Sequence, residues 1–97
     1  MSHIDIKLKL SGGSIVTDPM PVRAKRGDTL AWTSSEGDVA VSFAAHPFEN
    51  LPALRGARGG HTPTVKVRSN ASAPAHYDCT ASVGSTTSSV YGVDIEP

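Results

Sequence analysis

The chain has 97 residues, the size of one domain, and we expect residues 1–97 to fold around one core that needs neither a metal nor a disulfide. Nine Lys and Arg balance nine Asp and Glu, which argues against a basic nucleic-acid-binding surface and against charge-driven membrane binding. The single cysteine cannot form an internal disulfide, and no apolar run approaches the ~18 residues of a membrane span. We therefore expect a cytoplasmic protein that binds neither nucleic acid nor membrane.

The N-terminal segment predicts β-strands. Charged and apolar residues alternate there, which is typical of a strand with one face in a core and unlike the continuous apolar segment of a secretory signal. The apolar positions are Ile4, Ile6, Leu8 and Leu10. Residues 14–17 predict a second strand. Pro19 and Pro21 cannot donate hydrogen bonds to a ladder, so the stretch that contains them belongs at a sheet edge or at a crossing.

Three further strands are predicted before residue 44. Residues 22–24 and 29–33 flank a tight turn at Arg26-Gly27-Asp28, and residues 39–43 form the next strand. In the last of these, Val39, Val41 and Phe43 share one face. The second carries Trp32, which we expect to fill the core between two sheets.

Residues 44–60 predict a long connection, because prolines and glycines interrupt any helical period beyond about one turn, which we place at residues 51–54. Loops of this length are usually functional or disordered. An interface there would combine exposed apolar anchors with a charged rim, and the candidate partner-binding residues are Phe48, Arg55, Arg58 and His61. The alternative is that Phe48, Leu51 and Leu54 pin the loop to the rest of the fold while both arginines are simply solvated.

The C-terminal third predicts strands at residues 64–68, 76–81 and 89–96, with the Ser/Thr-rich segment "TASVGSTTSS" (80–89) as a hairpin loop. Seven or eight short strands without a long helix predict an all-β, antiparallel β-sandwich.

Three segments in order resemble the cupredoxin family of plastocyanin-like and azurin-like proteins. "VRAKRGDTLAWTSSEGDVAVSF" (22–43) is similar to the family's strand pair after a Gly-acid turn, "YDC" (77–79) to its tyrosine-x-cysteine strand, and "YGVDIE" (91–96) to its closing strand. The resemblance implies a Greek-key sandwich and, in the family, a type 1 copper site of two imidazoles, one thiolate and a weak axial thioether.

Most of that copper site is absent. The resemblance places the first His near Ala40, the second within residues 82–85 and the axial Met within residues 86–91, and only Cys79 remains. It therefore implies the fold but no copper cofactor. A rearranged metal site would use Cys79 with His46 and His61. His76 precedes Cys79 by three positions, which puts the two on opposite faces of a regular strand.

Catalysis by Cys79 would require a base and a feature that lowers the pKa of its thiol, and the sequence indicates neither. A buried core thiol is the simpler interpretation. We expect a non-enzymatic, cofactor-free structural or protein-interaction module that binds a protein partner or itself. The alternatives are a copper-binding or electron-transfer protein with the rearranged site and, third, a small hydrolase or thiol enzyme.

Overall fold

The computed structural model describes residues 2–97, and within that range every regular element is a β-strand. No helix in this range is long and apolar enough to cross a membrane. The strands are β1 (His3–Ser11), β2 (Ser14–Asp18), β3 (Arg23–Lys25), β4 (Thr29–Thr33), β5 (Val39–Phe43), β6 (Leu54–Gly56), β7 (Val65–Lys66), β8 (Ala75–Val83) and β9 (Thr86–Glu96).

The strands form two sheets, one ordered β2-β1-β4-β7 and the other β3-β9-β8-β5-β6. The chain passes from the first sheet to the second between β2 and β3, at the proline-containing stretch that was predicted to lie at a sheet edge or at a crossing. The prediction of wholly antiparallel sheets is wrong, because β1 pairs with β4, and β3 with β9, in parallel. The described residues form nine strands where seven or eight were predicted.

The core confirms the alternating patterns. Ile6 and Leu8 of β1 are buried, as are Val39, Val41 and Phe43 of β5. Trp32 is 1% exposed, and its ring centroid lies 5.7 Å from that of Phe43. The prediction that Trp32 fills the core is therefore confirmed. Burial of these apolar side chains is the main favourable contribution to folding.

The connection from Ala44 to Gly60 differs from its prediction. Residues 51–54 form no helical turn, and Leu54 instead begins β6, which pairs with β5. Phe48 is 0% exposed, and Leu54 is also buried. Phe48 forms a β-bridge with Val67, and its ring packs edge-on against those of Trp32 and Phe43. The expectation that Phe48 is an exposed anchor is therefore wrong, and the alternative that Phe48 and Leu54 pin this segment to the rest of the fold is confirmed.

The β8–β9 hairpin is longer and tighter than predicted. β8 continues to Val83 and β9 begins at Thr86, so most of the segment expected to be a loop lies inside the two strands. Gly84 has a φ of +59°, a left-handed conformation that glycine adopts without steric cost. Most of the Ser and Thr residues of this segment consequently lie on two paired strands.

Candidate functional site

Cys79 lies in the middle of β8, paired with Phe43 of β5 and Val90 of β9. Its side chain is buried. Burial raises the pKa of the thiol to about 12, and the nearby charge of Asp78 adds to the rise. Because the thiolate is the nucleophile and the metal ligand, this environment keeps Cys79 in its inert protonated form.

The structure does not bring His46 and His61 together with Cys79. Within residues 2–97, no three His, Cys, Asp or Glu side chains form a group that could hold a metal ion. His46 Nδ1 accepts a hydrogen bond from the backbone N–H of Phe48 (3.1 Å), and its ring stacks on the Phe48 ring. His61 forms a β-bridge with Thr33, and its Nε2 lies 3.6 Å from Asp5 Oδ1.

The other three candidate partner-binding residues, Arg55, Arg58 and His61, lie on different parts of the surface. Arg55 is exposed on β6, next to Ala40 in the five-stranded sheet. Arg58 is also exposed, but its Nε donates to the Ser35 carbonyl (2.8 Å) and its backbone N–H to Asp38 (3.0 Å). His61 lies beside the four-stranded sheet. Of these three residues, Arg55 is thus the one that lies on a strand of the five-stranded sheet.

The side of that sheet facing away from the core carries mainly small polar residues, and we call it the outer face. Two registered rows cross it. One row runs from Arg55 of β6 across β5, β8 and β9, and the next runs parallel to it. The first row consists of Arg55, Ala40, Ser82 and Thr87. The second row consists of Ser42, Thr80 and Ser89. Such short side chains leave room for another backbone to approach this face closely.

A β-bulge organises one end of the outer face. Between the Tyr77–Val93 and Cys79–Val90 pairs, β8 contributes Asp78 alone, whereas β9 contributes two residues, Tyr91 and Gly92. The extra residue reverses the inward–outward alternation of β9. Val90 and Val93, three positions apart, both face the core.

The same reversal brings Tyr91 and Asp94 together with His76 and Asp78 of β8, and we call these four residues the His76 cluster. His76 Nδ1 lies 2.5 Å from Asp94 Oδ1, and His76 Nε2 lies 2.6 Å from Asp78 Oδ1. The Tyr91 hydroxyl donates to Asp94 Oδ2, and the Tyr91 ring centroid is 4.8 Å from that of His76. An imidazole bound by carboxylates on both sides donates both N–H groups when it is protonated.

The electrostatics follow from these contacts. The hydrogen bond to Asp94, and next that to Asp78, raises the pKa of His76 above its usual value. The hydrogen bond from Tyr91 lowers the pKa of Asp94, with contributions from His76 and from Arg23 of the neighbouring β3. Both ring nitrogens of His76 lie against carboxylates, so the cluster is a network of charged and hydrogen-bonded groups on the surface of the sheet.

The cluster predicts a defined pH dependence of stability. Because the pKa of His76 is higher in the folded state, its stabilising effect is complete below the unfolded pKa of about 6.5 and is lost as pH rises through the folded value. The side chain is 39% exposed, so we expect a contribution of only ~0.2–1 kcal/mol. Urea unfolding measures the free energy of unfolding at about pH 5.5 and at about pH 8.5. This free energy should decrease less between the two pH values in His76→Gln than in the parent chain. Equal decreases in the two proteins would contradict a contribution of the His76 cluster to stability.

Sequence reasoning missed this cluster because Tyr91 and Asp94 are three residues apart and a regular strand would place them on opposite faces. The one available signal was the Gly92 that follows Tyr91, since an isolated glycine in a strand often marks a bulge. No protein-family model matches the chain, and no curated protein matches its sequence.

Proposed function

We propose that this chain is a cupredoxin-like Greek-key module that holds no copper, catalyses no reaction and binds a protein partner, or a copy of itself, through its outer face. The fold part of the proposal is supported by the three cupredoxin-like segments. The strand with Cys79, β8, lies between β5 from the first segment and β9 from the last. Segments far apart in sequence are therefore neighbours in one sheet, as a shared family fold would require.

The positions where the resemblance implies copper ligands support the metal-free part. Ala40 pairs with Ser82 inside the sheet, and residues 82–91 form a hairpin ladder. Cys79, the one ligand type retained, is buried between β5 and β9 with a raised pKa. A type 1 site needs convergent imidazole and thiolate donors, and these residues supply a single thiol.

The observation that carries the binding proposal is the composition of the outer face. The five-stranded sheet exposes four small residues at the centre of this face, namely Ala40, Ser42, Thr80 and Ser89. Arg55 lies at one end of the face and the His76 cluster at the other. Small central residues with charged groups at the ends allow close approach of a partner backbone and fix its orientation through charge.

The metal-free part predicts the result of a copper titration. Adding Cu(II) to the purified chain should give no intense thiolate-to-copper absorption near ~600 nm and no change in melting temperature. A blue band that disappears in Cys79→Ser would instead support the rearranged copper site. The matched variants His46→Gln and His61→Gln would then identify the imidazole ligands.

The binding part can be tested by site-specific photo-crosslinking in cells. A photoreactive amino acid at Thr80 probes the centre of the outer face, and the same amino acid at Lys7 probes an exposed position on the four-stranded sheet. We expect a discrete protein adduct from position 80 and none from position 7. Adducts at both positions, or at neither, would contradict a specific binding surface on the outer face.

A further inference from the structure

We infer that the partner of the outer face is a second copy of this chain, docked so that Arg55 of each copy reaches Asp78 and Tyr91 of the other. This inference rests on the proposed binding function and identifies its partner. Two features of the same face carry it: a cationic side chain without a partner at one end, and a matching anionic and aromatic site at the other.

Arg55 supplies the cation. Its backbone is held in β6 opposite Ala40, while its side chain is exposed. Within residues 2–97, the guanidinium has no hydrogen-bond or ion-pair partner, whereas Arg58 and Arg68 both donate to backbone carbonyls. A guanidinium presents five donors in a rigid fork suited to a carboxylate and to the face of an aromatic ring.

The receiving site is a shallow depression of about 460 Å³ on the outer face. Its lining includes the small residues Ser42, Ala44, Thr80 and Ser89, together with Asp78 and Tyr91 of the His76 cluster. The Asp78 side chain is 84% exposed, and only its Oδ1 is engaged by His76. Asp78 Oδ2 thus remains available to accept from an incoming guanidinium, and the Tyr91 ring lies beside it for a cation–π contact.

The two ends are too far apart to pair within one chain. Arg55 shares a row with Ser82 of β8, and Asp78 lies four residues further along that strand. At ~3.4 Å per residue and ~4.8 Å per strand, their backbones are ~17 Å apart. A two-fold axis lying between two outer faces, perpendicular to this line and through its midpoint, places each Arg55 opposite the other copy's Asp78. Both ion pairs then form at once, as in an isologous dimer.

The area is sufficient for such a dimer. The molecule measures 36 × 22 × 21 Å, and β8 and β9 are long enough to span most of the longest dimension. A broad face therefore offers on the order of 700 Å², close to the ~800 Å² that each partner buries in a standard interface. The small central side chains allow two sheets to approach to the ~10 Å separation of stacked sheets.

A charge-exchange experiment on the complete chain tests the inference. Sedimentation equilibrium at low salt should show a monomer–dimer equilibrium, and Arg55→Glu and Asp78→Arg should each raise its Kd at least ~10-fold by placing like charges together. The double variant R55E/D78R restores the opposite charges and should return Kd to within ~3-fold of the parent value. Lys7→Glu, which makes the same charge change on the other sheet, should leave Kd unchanged. Melting temperatures establish that each variant is folded, and Asp78→Asn replaces Asp78→Arg if the latter unfolds.

A parent chain that stays monomeric at ~1 mM, unchanged Kd in the single variants, or no recovery in the double variant would overturn the inference. Photo-crosslinking separates this failure from failure of the proposed function. An adduct at position 80 with the mass of a different protein, from a chain that sediments as a monomer, would retain the binding module and reject the second copy. An adduct of twice the chain mass would support both the binding function of the outer face and the second copy as its partner.

Discussion

Gly92→Ala is expected to prevent the chain from folding, or to lower its free energy of unfolding by more than about 4 kcal/mol. A Cβ atom on residue 92 would lie 1.6 Å from the carbonyl oxygen of Tyr77 and 2.6 Å from its carbonyl carbon. These atoms belong to the backbone of β8 and cannot move aside without separating β8 from β9. The eight registered pairs of this hairpin form the centre of the five-stranded sheet.

The measurement is urea unfolding followed by circular dichroism and by the fluorescence of Trp32, with soluble yield as a second readout. Gly12→Ala is the matched control, because a Cβ at residue 12 meets nothing within 4 Å and its φ is +58°. That variant should lose only the ~1–2 kcal/mol of a left-handed alanine. A Gly92→Ala protein that is folded and no less stable than Gly12→Ala would contradict the close approach at the bulge. It would also leave the arrangement of the His76 cluster without its structural basis.

Trp32→Ala is expected to lower the free energy of unfolding by about 3–5 kcal/mol, because it empties a large site between the two sheets. The Trp32 ring packs against Phe43 at 5.7 Å and against Phe48 at 6.4 Å between centroids. The backbone N–H of Trp32 donates a hydrogen bond to Thr62 Oγ1, and the Trp32 carbonyl accepts one from the Thr62 N–H. These two hydrogen bonds hold β4 against residues 61–62. The alanine variant therefore removes the side chain without removing these backbone contacts.

Cys79→Ala is the comparison for Trp32→Ala. Cys79 is also buried, but it is small and has no role in a metal site or a reaction under our proposal, so its loss should cost about 1 kcal/mol. Thermal and urea unfolding of both variants measure the difference, while dimerisation by sedimentation should be unaffected in Cys79→Ala. Similar small losses in the two variants would contradict the position of Trp32 at the centre of the core. Loss of association in Cys79→Ala would assign the thiol a function beyond packing.

The sequence by itself determined the elements whose pattern is local. Alternation predicted β1 and β5, and turn residues predicted the reversal at Gly27-Asp28. A lone cysteine within an apolar-alternating strand was predicted to be a core thiol, and Cys79 is buried. These predictions held because the side-chain period of a strand and the backbone preferences of glycine and proline act within a few residues.

Tertiary structure decided which surfaces these elements form. The parallel pairing of β1 with β4 joins residues 26 positions apart, such as His3 and Thr29, and residues 44–60 have no period that would reveal the burial of Phe48. Arg55, Arg58 and His61 are close in sequence, yet His61 lies at the four-stranded sheet while Arg55 projects from the other. The His76 cluster exists because one bulge at Gly92 reverses the alternation of β9. That bulge is set by how closely two backbones approach across a sheet, a quantity that no local pattern encodes.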